Sequence, residues 1–140
     1  MDKKKFKGTV VTILFAIVGG MIGSQIVRTL NQQDFDTVLM EISNEINKNL
    51  PMMIDENTRV DSTLGGPGNK ITYFYTLVNH SAQDIDIETL KPTLKKQLIN
   101  NYKSSSGMKD LRENDVELQY IYRDNQAVEL MKFIVTTSDF

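Results

Sequence analysis

Cysteine is absent from all 140 residues. Its absence removes disulfides, thiolate metal sites and cysteine nucleophiles together, and predicts no lipid-attached leader. Histidine occurs once, as His80, next to Ser81. A histidine–serine pair needs an oriented third group and an oxyanion hole. No glycine-framed serine supplies a nucleophile, and Ser138 offers nothing better. A metal at His80 with Asp84 and Asp86 would lack the ligand density of zinc or calcium sites. The carboxylate groups, Asp55 with Glu56 and Asp84 and Asp86 with Glu88, fit turn formation and helix-dipole pairing better than acid–base work. Residues 65–69 contain no lysine and precede no helix, so they are no phosphate cradle. No catalytic residue, metal or cofactor is expected, and the chain is not expected to be an enzyme.

Positive charge is scarce where most of the chain lies. Residues 1–33 hold five Lys or Arg against one Asp, +4, and the whole chain is −2, which leaves −6 for residues 34–140. That portion lacks the phosphate-neutralising surface of a nucleic-acid-binding protein, so DNA and RNA are not expected as partners. Its roughly 110 residues suffice for one domain and not two.

One long hydrophobic run is present. Residues 8–27 carry no charge and follow a leader containing Lys3, Lys4, Lys5 and Lys7. Twenty helical residues rise about 30 Å, the thickness of a bilayer's hydrocarbon core. The positive-inside bias then keeps the leader in the cytoplasm. This predicts a cytoplasmic leader (1–7), a transmembrane anchor (8–27), a juxtamembrane connector (28–33) and an exported domain (34–140). The expected location is a bacterial inner membrane, single-pass, with the C-terminal domain periplasmic. A cleaved signal cut near Val18-Gly19-Gly20 is the alternative, but Met21, Ile22, Ile26 and Val27 continue the apolar character beyond it. Gly19 and Gly23 form a small-residue pair that lets two membrane helices pack closely. Another membrane protein or a second copy is thus an expected partner, beside the lipid bilayer.

Further on, Phe35, Val38, Leu39, Ile42 and Ile46 mark an amphipathic helix over residues 34–49, ended by Leu50-Pro51. Residues 59–64 alternate as a half-buried strand, and Gly65-Gly66-Pro67-Gly68-Asn69 is a turn cluster. Residues 70–79 are apolar on both faces and belong at the centre of a sheet. Leu90, Leu94, Leu98 and Tyr102 mark a second helix, broken at residues 104–107; with Thr89 as its N-cap, Pro92 falls in the first turn. Residues 116–123 and 128–137 supply two more strands around an Asp124-Asn125-Gln126 turn. The order helix–strand–strand–helix–strand–strand predicts an α+β domain, with a four-stranded antiparallel sheet and two helices on one face.

Tyr73 and Tyr75 on one strand match Tyr120 and Tyr122 on another. On neighbouring strands the four rings would line one face, as a binding platform or as core beneath the helices. Ile71, Leu77, Val116 and Leu118 on the same face favour core. Gly66, Pro67 and Gly68 form a hairpin tip that could present backbone to a partner.

The run Leu-Pro-Met-Met-Ile-Asp-Glu-Asn-Thr-Arg-Val-Asp-Ser from Leu50, the Gly-Pro-Gly loop and Tyr73-Phe74-Tyr75 resemble a group of small exported bacterial proteins of unassigned function. The resemblance covers residues 50–140. Members of that group tend to carry a cysteine after the second helix and another at the C-terminus. Lys103 with its neighbours and Phe140 stand there in this chain, so the implied disulfide is absent. The resemblance implies a bacterial envelope and no chemistry. The expected function is a membrane-tethered, non-catalytic accessory or protein-interaction module. The alternatives are a small-ligand or peptide binder using the tyrosine face, and an inhibitor or immunity-like protein using the hairpin.

Overall fold

The structure is a computed structural model and describes residues 35–140. Helix α1 (Phe35–Asn47) follows from the three- and four-residue spacing of Val38, Leu39, Ile42 and Ile46, all of which are buried. It lies so close to the sheet that a Cβ added to Gly65 would sit 2.0 Å from the Leu39 carbonyl oxygen. At its last turn the Asn47 side chain imitates a strand. Its Nδ2 donates to the Thr63 carbonyl at 2.8 Å, and the Thr63 N–H donates to its Oδ1 at 2.7 Å. Asn47 thereby closes a stretch of sheet edge left open by the very short outermost strand.

That strand, β1 (Met52–Met53), pairs with Val60 and Arg59 of β2 (Thr58–Gly65). β2 pairs antiparallel with β3 (Lys70–Leu77) across the glycine loop. Gly66, Gly68 and Asn69 take positive φ values of 66°, 94° and 57°. The loop is fastened at both sides. Asp36, in the first turn of α1, accepts from the Gly68 and Asn69 N–H groups at 3.2 and 2.9 Å, and these bonds hold its carboxyl below the ordinary aspartate value. The Asn69 amide donates to the carbonyls of Asn114 and Asp115.

After β3 the chain crosses through helix α2 (Ile87–Ser104) and the short α3 (Lys109–Glu113) to β4 (Glu117–Arg123), then returns as β5 (Glu129–Val135). The sheet has five strands in the order β1-β2-β3-β4-β5, and β4 runs parallel to β3. This corrects the expectation of four antiparallel strands with two helices. The 18 residues of α2 rise about 27 Å, close to the length of an eight-residue strand. The helix therefore carries the chain back to the end where β3 began, and the next strand enters alongside it in the same direction. Side-chain alternation has the same period in both pairings, so it does not encode strand direction.

Two local expectations also change. Asp86, not Thr89, caps α2: its carboxylate accepts from the Thr89 N–H at 3.3 Å and the Thr89 hydroxyl at 2.8 Å. Pro92 consequently lies inside the helix, on its exposed side. At the other end, Arg112 donates to the carbonyls of Tyr102 and Ser105 at 2.9 and 2.6 Å, satisfying orphan groups of the last turn.

The anchor expected at residues 8–27, with Gly19 and Gly23, lies outside the described residues. Among the described residues, no helix is long and apolar enough to cross a membrane. α1 has 13 residues, and α2 carries Glu88, Lys91, Lys95, Lys96 and Lys103.

Candidate functional site

The parallel register sets Tyr73 opposite Tyr120 and Tyr75 opposite Tyr122. Like meets like, so the rings stack as two pairs, with centroids 5.2 and 4.8 Å apart and planes within 12° and 9°. Phe133 of β5 meets Tyr122 edge-on at 5.9 Å. α1 packs on β2 and reaches β3, whereas α2 packs on β5, so both tyrosine rows lie between the helices. All four tyrosines are 0% exposed. Their rings belong to the core and form no open platform.

Their hydroxyls do not behave like core. Among the described residues none of the four has a hydrogen-bond partner, although a fifth buried tyrosine, Tyr102, donates to the Val116 carbonyl at 2.6 Å. A buried polar group without a partner forfeits roughly 1–3 kcal/mol. Burial pushes the phenols of Tyr73, Tyr75, Tyr120 and Tyr122 above the ordinary tyrosine value, and neighbouring tyrosines push Tyr73, Tyr120 and Tyr122 further. At neutral pH they are protonated. They can exchange hydrogen bonds, but as neutral phenols they are neither nucleophiles nor bases.

At the hairpin, Gly66 is buried while Pro67 and Gly68 are exposed. Its mooring to Asp36 makes it a fixed prominence. Met40, 52% exposed, lies near Gly66, and Leu64, 53% exposed, precedes the tip.

His80 is buried, and that burial lowers its pKa against the opposing charge of Asp84. Its carbonyl accepts from the Asn125 N–H at 3.0 Å. Beside it stands a residue that the sequence marks only as a turn former. Asp124, 2% exposed, accepts N–H bonds from Gln126 at 2.8 Å, Val128 at 2.9 Å and Ala82 at 3.1 Å. The last bond ties the segment after β3 to the β4–β5 turn, a contact 42 residues apart that no local pattern announces. These bonds, Val128 first, lower the Asp124 pKa from 3.8. A lowered carboxyl stabilises the fold fully above the unfolded value, and that stabilisation is lost as pH falls through the folded value. Asp124→Asn is therefore expected to flatten the acid limb of a stability–pH curve below about pH 4, the ordinary range of an aspartate. An unchanged limb in acid titrations followed by circular dichroism would contradict this role.

Asp55 and Asp84 likewise serve backbone. Asp55 accepts from the N–H groups of Asn57 and Thr58, both at 2.6 Å, and Asp84 from that of Ser81 at 3.1 Å. Among the described residues, no three His, Asp or Glu side chains gather closely enough to hold a metal ion.

A family described as a domain of unknown function, DUF8479, matches residues 34–131. The chain belongs to this family. No curated protein matches it. Its fold is similar to that of a candidate secreted protein from Pseudomonas aeruginosa, at 16% identity and a TM-score of 0.62, over 76% of this chain and 94% of that one. It is also similar to EpsS, the type II secretion system pilotin of Vibrio vulnificus (9% identity, TM-score 0.59, 76% and 92%). A third likeness is to AspS, the type II secretion system pilotin of Vibrio cholerae (8%, 0.56, 78% and 94%). At these identities the likeness is one of fold. The family and the secreted-protein fold agree with a small bacterial protein of unassigned function. They correct the expected location. With no membrane-crossing helix among the described residues, and with a candidate secreted protein and two pilotins as similar folds, the single-pass inner-membrane placement does not stand.

Proposed function

We propose that the domain is a non-catalytic protein-interaction module of the bacterial envelope, an accessory that binds a polypeptide component of a larger assembly. The similarity to two pilotins of type II secretion systems supports an accessory role. The observation that carries the reading is the set of four buried, unpartnered tyrosine hydroxyls. Phenylalanine would fill the same core without stranding a polar atom, so the hydroxyls are surplus to packing. They lie together between two helices that rest mainly on outer strands, where a modest separation of α1 from α2 would expose them. A partner segment offering carbonyl, amide or hydroxyl groups would complete their hydrogen bonds.

The test is chemical crosslinking in intact bacteria, with identification of the captured protein, for the full chain and for a variant with Tyr73, Tyr75, Tyr120 and Tyr122 all changed to phenylalanine. The expected result is one envelope protein captured by the wild type and lost from the variant. Equal capture by both would move the contact away from the tyrosines, and no capture by either would contradict the interaction reading.

A further inference from the structure

Charge in the described residues is segregated. The stretch from Ile87 to Arg112 holds six Lys or Arg against Glu88 and Asp110, +4, while the rest of residues 35–140 carries five against fourteen, −9. Within α2, Lys91, Lys95, Lys96 and Lys103 are all exposed. Leu90, Leu94, Leu98 and Tyr102 face the core, so at about 100° per residue Lys96 and Lys103 fall on the outward face, Lys95 on the flank, and Lys91 beside the core stripe near the helix start. None of the four forms an ion pair among the described residues.

We infer that the outward face of α2 is a second docking surface and that its occupant is an acidic segment of a protein. Lys96 and Lys103 stand seven residues apart on that face, about 10 Å along the axis, with Lys95 at its edge, enough to meet carboxylates of one helix or strand. Charge complementarity selects the sign of the partner. The acidic remainder of the domain repels the same partner elsewhere and so fixes its orientation. An anionic bilayer fits less well. Stable attachment to lipid takes an apolar element as well as charge, and no large hydrophobic side chain is exposed on α2. The inference does not rest on the tyrosine rows and can fail without them.

Poly-L-glutamate, a vesicle of one-third phosphatidylglycerol and a single-stranded oligonucleotide serve as probes for the full chain. Fluorescence anisotropy reports the polymers, and co-sedimentation reports the vesicles. The inference expects poly-L-glutamate to bind most tightly, with affinity falling at least tenfold between 50 and 200 mM salt. Changing Lys91, Lys95, Lys96 and Lys103 to glutamine should weaken that binding at least tenfold with the circular dichroism spectrum unchanged, while Lys48→Gln, in the turn after α1, should leave it intact. If the fourfold variant misfolds, Lys96→Gln with Lys103→Gln alone should still weaken binding threefold or more. Poly-L-glutamate binding that is absent, insensitive to these changes, or weaker than vesicle or oligonucleotide binding overturns the inference.

Discussion

Gly65→Ala is expected to destabilise the domain by about 3 kcal/mol, the upper end of the usual overpacking range. The added methyl would lie 2.0 Å from the Leu39 carbonyl oxygen, 2.3 Å from its carbon and 2.8 Å from the Met40 nitrogen. All three are helix backbone atoms, so no rotamer change relieves the clash. α1 must lift away from β2, which strains the Asn47–Thr63 pair and the Asp36 bonds to the hairpin. Urea unfolding measures the effect. A loss under about 0.5 kcal/mol, typical of a surface change, would mean that α1 does not bear on the sheet as described.

Leu98→Ala is expected to cost about 2–5 kcal/mol, the range for a buried leucine truncated to alanine. Leu98 is 3% exposed and continues the stripe of Leu90 and Leu94 that seats α2. The cavity would open beneath the crossover helix, whose span also sets the direction of β4. The same urea measurement applies, and an effect below about 0.5 kcal/mol would show that α2 is not seated by this stripe.

Much of this was legible in residue order. The three- and four-residue spacing in α1 and α2, and the alternation in β2, β3, β4 and β5, reflect burial on one face of each element. These signals placed every long element close to its observed bounds. They did not place β1, whose two exposed methionines have no pattern to show. Nor did they show that β4 runs parallel to β3, because that direction is set by the length of the crossover. Asp124 and Asn47 act across 42 and 16 residues, distances at which a turn former and a helix-ending amide look ordinary. The Tyr-x-Tyr repeats were visible, and their stacking required only that the two strands be neighbours. Whether each hydroxyl would find a partner depended on where α1 and α2 came to rest. The lysines of α2 were visible too, but the overall acidity of the domain masked their segregation to one helix.

On the proposed function, the hydroxyls of Tyr73, Tyr75, Tyr120 and Tyr122 contribute nothing to folding and are held for a partner. The unfolding free energy of the variant with all four changed to phenylalanine decides between that role and a structural one. The expected result is stability equal to or above that of the wild type, because each change removes a buried group that has no hydrogen bond to lose among the described residues. A loss of about 1 kcal/mol or more per hydroxyl, the worth of an ordinary intramolecular hydrogen bond, would show that the folded chain already satisfies them, and the case for a binding site at the tyrosine rows would fall.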